Sequence, residues 1–160
     1  MNKPDSLRQR LVAQVPGLAQ HPDRLMIFID NGTIRSTAAR GLSFEYAYTL
    51  NIILTDYAGH PDAVAIPLLA WLGQHQRELL ENHDLVQQAI TFEADLLDNS
   101  KVDLAIKLPL TERVIVKAAD DGSLQVTHPP EPVPENAYMP PQGVMLRGST
   151  GEEIGRWSSP

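Results

Sequence analysis

A long alternation of apolar and polar residues, beginning at Phe44, constrains the fold more than any other feature. From Phe44 to Leu54, aromatic or aliphatic side chains occupy every second position, and most positions between them are polar or small. Successive side chains of a strand point to opposite faces, so the pattern predicts a strand over residues 44–55 with one buried and one largely wet face. At about 3.3 Å per residue this strand spans roughly 40 Å, about twice the usual length. It must therefore bend at a bulge or project beyond its own domain.

Two helices are predicted around this strand. The first covers roughly residues 5–15, where apolar side chains recur at helical spacing and Pro16-Gly17 provides a stop. The second follows residue 62, and Pro67 is placed in its first turn because proline has no amide hydrogen to donate. Its apolar stripe consists of Leu68, Leu69, Trp71, Leu72, Leu79 and Leu80.

The Asn31-Gly32 dipeptide predicts a tight hairpin in the first half of the chain. Leu25–Ile29 is apolar without alternation, as in a strand covered on both faces. Asn and Gly both tolerate positive φ, so a type I′ turn is expected to lead into a second strand over Thr33–Thr37.

The second half of the chain is rich in strand-forming residues. Asp121-Gly122 predicts another hairpin turn, and Pro109 indicates a sheet edge or a bulge. The predicted strands are Ala89–Leu97, Val102–Leu108, Arg113–Ala118 and Leu124–Thr127. Together the elements predict an α+β fold, with a mixed or antiparallel sheet, hairpins, and two or three flanking helices.

The composition changes at His128, where a proline-rich stretch begins. Such a segment cannot hold a helix, so we expect a domain over residues 1–128 and an extended or disordered arm over 129–160. Several apolar residues favour an arm that docks on another surface: Met139, Val144, Met145, Leu146, Ile154 and Trp157.

One weak candidate for a catalytic or metal site is the group of polar residues His60, Asp56 and Asp62. A metal ligand or general base would be its functional interpretation, whereas the structural interpretation has Asp62 capping the next helix. Asp120-Asp121 suits a turn better than a carboxylate pair. Tyr46 and Tyr48 suit a core or interface better than a stacking platform. We therefore expect no catalytic, cofactor-binding or metal-binding residues.

Charge and composition exclude several other functions. The formal net charge is −7 and the basic residues are scattered, so direct recognition of nucleic acid is not expected. The chain has no cysteine, which excludes disulfides and thiolate metal sites. The start lacks a signal-peptide pattern and no apolar run is long enough to span a bilayer, so we expect a cytoplasmic, membrane-free protein.

Four stretches carry a resemblance to a known family: KPDSLR at residues 3–8, PDRLMIFIDNG at 22–32, the long block at 42–72, and VDLAIKLPLTERVIV at 102–116. They resemble the tail completion protein R family (GpR) of Peduovirus-like contractile-tailed phages, over most of residues 1–130. This family is similar to the tail terminators, small α/β proteins that close the tail tube as a hexameric ring.

The resemblance implies a non-enzymatic structural role at the head-proximal end of the phage tail, helping to join tail and head. It implies a homo-oligomer, with a companion completion protein S, tube and sheath proteins, and head–tail connector proteins as partners. The location implied is the virion tail, after synthesis in the host cytoplasm, whether from a phage or a prophage.

Two alternatives from other classes stay open at this point. One is a morphogenesis chaperone that assists tail assembly and is absent from the finished particle. The other is a small metal-dependent hydrolase built on His60, Asp56 and Asp62.

Overall fold

The computed structural model describes residues 1–36, 41–81, 90–97, 100–132 and 143–158. These residues form antiparallel sheets with three helices, which confirms the predicted α+β class. In chain order the helices and strands are α1 (Lys3–Gln14), a short 3-10 helix (Pro22–Arg24), β1 (Leu25–Ser36), β2 (Phe44–Tyr57), α2 (Asp62–His75), α3 (Glu78–Glu81), β3 (Thr91–Leu97), β4 (Lys101–Ala118), β5 (Leu124–Thr127), β6 (Gly143–Arg147) and β7 (Glu153–Ser158).

The main sheet has the strand order β1-β2-β4-β3, and every pairing is antiparallel. Strand β5 pairs with the far end of β4, on the same side as β3. Strands β6 and β7 form a separate two-stranded sheet. The centre of the fold is therefore the long β2–β4 pair, and the other strands of the main sheet attach along it.

The predicted alternation from Phe44 is strand β2. Tyr48, Leu50, Ile52 and Leu54 are all buried, on what we call the inner face of the sheet, the face on which α1 and α2 pack. The register with β4 shifts between Leu54 and Tyr57, and Asp56 has a φ of 51°, so this end of the strand bulges. Of the two alternatives predicted from the length of the strand, a bulge or a projection beyond the domain, the structure shows the bulge.

Helices α1 and α2 pack on the inner face, but the apolar stripe predicted for the second helix is confirmed only in part. Leu68, Trp71 and Leu72 are buried, whereas Leu69 is 44% exposed and Leu79 and Leu80 belong to α3. Leu7 and Leu11 of α1 and Trp71 of α2 are at most 1% exposed. The predicted first helix and its stop are confirmed, with Gly17 at a φ of 83° after the last turn.

The expected position of Pro67 in the first turn of its helix is wrong. Helix α2 already begins at Asp62, so Pro67 lies in its interior and is buried. Ala63 and Val64, which precede it, are only 0% and 2% exposed. Burial of this earlier turn favours a helix start at Asp62 and offsets the backbone hydrogen bond that proline cannot make.

The predicted hairpin at Asn31-Gly32 is also wrong. Strand β1 runs through both residues, and its register with β2 shifts between Asp30 and Thr33, so that two residues lie opposite Tyr48 alone. Asn31 has a φ of 53°, as the turn prediction required, but Gly32 does not have a positive φ. Strand β2 is long enough to pair with the residues on both sides of the dipeptide. The dipeptide therefore forms a bulge within β1 instead of a turn. Thr37, the end of the predicted second strand, lies outside the described residues.

The two predicted strands on either side of Pro109 are one strand, β4. Pro109 faces Thr49 of β2 without a register shift. The amide of Thr111 donates to the side chain of Gln76, on the side away from β2. Amide direction alternates along a strand, so the nitrogen of Pro109 points to that same side, where no described strand pairs with it. Of the two alternatives predicted for Pro109, the bulge is therefore wrong; along the described residues its nitrogen lies in the gap between β3 and β5.

The predicted turn at Asp121-Gly122 joins β4 to β5. Gly122 has a φ of 82° and donates its amide to Ala119, while the amide of Ala119 donates to Ser123. A residue with a side chain is strained at this φ, which explains glycine here.

Residues 143–158, within the predicted arm, form the β6–β7 hairpin. Trp157 is 7% exposed, and β7 contacts both α1 and α2. A Cβ placed on Gly155 would lie 3.4 Å from the side chain of Ala63 in α2, so the hairpin lies close against that helix. Residues 133–142, including Met139, lie outside the described residues, and the division into a domain over 1–128 and an arm over 129–160 stays a prediction.

Within the described ranges, no helix has both the length and the apolar character needed to cross a membrane.

We predict that Trp157→Ala releases the β6–β7 hairpin from the helices. Removing a large buried side chain costs about 3 kcal/mol, and here the loss falls mainly on the hairpin. Amide hydrogen exchange should accelerate at residues 143–158 and change little in the centre of β4. Met145→Ala, on the same hairpin at 40% exposure, is the matched control and should leave exchange unchanged. Equal acceleration in β4 would show that the hairpin does not unfold separately.

Candidate interaction surfaces

The weak cluster found in the sequence is not assembled in the structure. Asp56, on the β2 bulge, forms an ion pair with Lys101 at 3.3 Å. The His60 ring lies 3.4 Å from the Asp62 carboxylate, and its Nδ1 accepts the amide of Asp62 at 3.2 Å. The N-cap residue of α2 is Pro61, without a side-chain cap, and it is the His60 ring that bonds to the backbone at the start of the helix. Among the described residues no group of three or more His, Cys, Asp or Glu could hold a metal ion.

The other polar candidates have structural contacts. Asp121 accepts the amide of Ser123 at 2.9 Å, and hydrogen bonds from Ser123 lower the pKa of its carboxyl. Tyr46 packs edge-on against Phe44, with ring centroids 4.9 Å apart. Tyr48 is 5% exposed. The expected turn is confirmed at Asp121 and the expected core position at Tyr48, whereas Tyr46 is only half-buried.

A buried carboxylate, Glu112, was not predicted. It is 5% exposed on the inner face of β4, and it accepts the amides of Asn2 and Lys3 at 2.7 and 3.4 Å together with the hydroxyl of Tyr48. A carboxylate at this place also complements the positive end of the α1 dipole. The contact fixes the start of α1 on β4. The sequence feature that could have identified this carboxylate is a glutamate in the apolar series of β4, between Leu110 and Val114.

Lys3 extends this contact to the rest of the chain. Its ammonium group lies 2.7 Å from the Gln76 side-chain oxygen and 2.8 Å from the Glu131 carboxylate. The same Gln76 oxygen accepts the amide of Thr111 at 3.1 Å. The Glu112 cluster, as we call Lys3, Tyr48, Gln76, Glu112 and Glu131, thus joins α1, the end of α2, two strands and the segment after β5.

A cavity of about 550 Å³ lies beside the Glu112 cluster, between α1, α2 and the segment after β5. Here the indole of Trp71 donates to Ser6 at 3.0 Å and stacks on the ring of His75 at 4.5 Å. Burial lowers the pKa of His75, whose Nδ1 lies 3.0 Å from the carbonyl of Trp71. These groups bond to one another across α1 and α2, so the cavity wall is a packing contact of the two helices.

An apolar cavity of about 620 Å³ lies between α2, α3 and the β6–β7 hairpin, and two further uncovered apolar surfaces stand out in the described residues. The first, the α2–β3 groove, is a cavity of about 250 Å³ between α2 and the inner face of β3. Two of its lining residues are exposed, Leu69 at 44% and Phe92 at 70%, and Leu96, further along the inner face of β3, is 88% exposed. The residues that line it are Pro61, Asp62, Ala65, Leu68, Leu69, Ile90, Phe92, Leu104 and Ile106.

The second surface is the sheet overhang, where the main sheet continues past the helices. Ile34 is 69%, Leu124 55% and Val126 54% exposed, although all three lie on the inner face. The apolar inner-face residues of the sheet overhang are Ile34, Phe44, Tyr46, Val114, Val116, Leu124 and Val126, of which Val114 is buried at 2% exposure. Exposed apolar patches of this kind mark interaction sites on soluble proteins.

Comparison with known proteins gives one family. The family model described as P2 phage tail completion protein R (GpR) matches residues 1–132. The chain is similar to the tail completion protein R of Escherichia phage P2, with 41% identity over 157 residues, covering 98% of this chain and 99% of that protein. No solved structure matches.

We predict that Tyr48→Phe destabilises the fold by about 2 kcal/mol, because it removes a hydrogen bond to a buried carboxylate. Chemical denaturation at neutral pH measures the loss. Tyr46→Phe is the control: it lies two residues away on the same face, and removing its half-buried hydroxyl should cost under about 0.5 kcal/mol. Equal losses in the two variants would contradict the role of Tyr48.

We also predict an alkaline loss of stability through Tyr57. Burial raises the pKa of Tyr57 from 10.0 to about 12, and its hydroxyl has no hydrogen-bond partner among the described residues. Below pH 10 both the folded and the unfolded state keep the proton. Above pH 10 the unfolded state loses it first, so the free energy of unfolding falls as pH rises towards 12.

Tyr57→Phe should reduce this alkaline loss and leave stability at pH 7 unchanged or slightly higher, since it removes an unbonded buried hydroxyl. Denaturation at pH 7 and at about pH 11 measures both effects. A variant that is much less stable at pH 7 would show that the hydroxyl has a partner.

Proposed function

The chain belongs to the P2 phage tail completion protein R family, and from this premise we propose that it completes the head-proximal end of a phage tail as one subunit of a ring. Family membership makes it a structural protein of the phage tail. The ring, its hexameric order and its part in joining tail to head are the proposal.

The observation that carries the proposal is the presence of two separate uncovered apolar surfaces on one small chain. The α2–β3 groove lies beside the first half of β4, and the sheet overhang lies at its other end. A subunit of a closed ring contacts its two neighbours through two different patches. A subunit with a single self-complementary patch would instead form a two-fold dimer.

The proposed partners are other components of the tail. They are further copies of this chain, the companion completion protein S, the tube and sheath proteins, and the head–tail connector. The formal net charge of −7 suits a subunit that DNA must pass without adhering, since like charges repel. We propose that the protein is made in the host cytoplasm, recognises no nucleic acid directly, and ends in the virion tail.

Immunogold electron microscopy of purified particles tests this function. An antibody against the exposed β6–β7 turn should label the head-proximal end of the tail, at one site per particle. Particles from a strain in which the gene is disrupted are the control for antibody specificity. Unlabelled particles, with the protein expressed and the epitope shown to be accessible, would favour a chaperone that leaves the finished particle.

A further inference from the structure

We infer that Asn31 is a site of spontaneous chemical modification in the folded protein, where attack by the amide of Gly32 converts it to aspartate and isoaspartate. The inference does not depend on the proposed ring. It concerns the bulge of β1, which borders the sheet overhang, and its co-reactant is water.

The reaction takes place between the side chain of one residue and the main chain of the next. The nitrogen of Gly32 forms a bond to Cγ of Asn31, the proton of that nitrogen passes to the departing amide group, and ammonia leaves. The product is a cyclic imide that contains the nitrogen and both carbonyl carbons of residue 31. Water then breaks the bond from this nitrogen to Cγ, which gives aspartate, or the bond to the main-chain carbonyl carbon, which gives isoaspartate.

The surroundings of Gly32 leave the approach of its nitrogen open. Gly32 has no side chain, and a Cβ added there would meet no heavy atom within 4 Å. Both Asn31 and Gly32 are exposed. The nitrogen can therefore move towards the Asn31 side chain without displacing a neighbour.

The bulge also removes the restraint that a regular strand imposes on its main chain. The register of β1 with β2 shifts between Asp30 and Thr33. Neither Asn31 nor Gly32, which lie between them, has a partner of its own in that register. Asn31 has a φ of 53°, in the left-handed region that few residues other than glycine adopt. Within the described part of the chain, its side chain makes no hydrogen bond that would hold it away from Gly32.

The dipeptide Asp121-Gly122 could undergo the same cyclisation, but its turn protects it. The amide of Gly122 donates to the carbonyl of Ala119 at 3.0 Å, so this nitrogen is already engaged. The Asp121 carboxylate accepts the amide of Ser123 at 2.9 Å, and hydrogen bonds from Ser123 lower the pKa of its carboxyl. An ionised carboxylate is a poor target for a nitrogen nucleophile. We therefore expect isoaspartate at residue 31 and none at residue 121.

Isoaspartate changes the half of β1 that belongs to the sheet overhang. The main chain then runs through the former side chain and gains one atom, at the point where two residues already lie opposite Tyr48 alone. Beyond the bulge, the exposed ion pair of Arg35 with Glu45 at 3.7 Å adds little to the pairing with β2. The extra atom therefore loosens residues 33–36 and leaves residues 25–30 paired.

Ageing the purified full-length protein at mildly alkaline pH tests the site. Peptide mass spectrometry measures conversion of amide to acid at residue 31, and labelling by an isoaspartate methyltransferase measures isoaspartate. A synthetic peptide of residues 26–36 is the unstructured reference. The folded protein should convert at no less than about a tenth of the peptide's rate, because opening a bulge costs little free energy. A lower rate would show that the fold protects Asn31, and would overturn the inference.

Gly32→Ala separates the chemistry from the fold. Because φ of Gly32 is not positive and the new Cβ meets nothing within 4 Å, thermal unfolding should not change. Conversion at residue 31 should fall roughly tenfold, since a side chain hinders the close approach that glycine permits. Gly41→Ala, at another glycine with open space around it, is the matched control and should leave conversion unchanged. An unchanged rate in Gly32→Ala would show that the amide of Gly32 is not the nucleophile.

Amide hydrogen exchange of the aged protein tests the effect on β1. In the isoaspartate fraction, exchange should accelerate at residues 33–36 and stay unchanged at residues 25–30. Asn31→Asp, which carries the other product with a normal main chain, is the control and should exchange like the unmodified protein. Unchanged exchange at residues 33–36 would overturn the effect on the sheet overhang, and isoaspartate at residue 121 would overturn the assignment to the bulge.

Discussion

The pairing of β2 with β4 is the interaction on which the rest of the structure depends. Every other strand of the main sheet attaches to one of these two, and their inner faces provide the surface on which α1 and α2 pack. The pair is longer than the helices that cover it, so one end of the sheet must extend into solvent. The domain and its proposed contact surface therefore come from the same long strands.

In the Glu112 cluster, a carboxylate at the edge of the hydrophobic core binds the start of α1. Beyond Leu110 the inner face of β4 would otherwise meet the first turn of α1, whose amides have no partner within the helix. Glu112 accepts two of these amides, and Tyr48 donates to the same carboxylate. The cluster thus lies where α1 begins, next to the sheet overhang.

Patterns with a clear period predicted much of this fold. The alternation from Phe44 identified β2 and its bulge, and the apolar spacing before Pro16 identified α1. Local signals failed where long-range packing opposed them, as at Asn31-Gly32, where a turn dipeptide became a bulge, and at Pro67, which burial placed inside α2. The interaction surfaces were harder to foresee, because exposure of Phe92 or Leu96 depends on which elements lie beside them in space. Glu112 could have been noticed as a charge in an apolar series, but its partners lie more than 60 residues away.

The contact between Asn2 and Glu112 also bears on the order in which the chain acquires its structure. These residues are separated by 110 positions. The first helix leaves the ribosome early, yet the carboxylate that secures it is made only after two thirds of the chain. Contacts of such sequence separation slow folding, because a long loop must close before they form. The hydrogen bonds between the start of α1 and β4 can therefore form only late in synthesis, after most of the chain has been made.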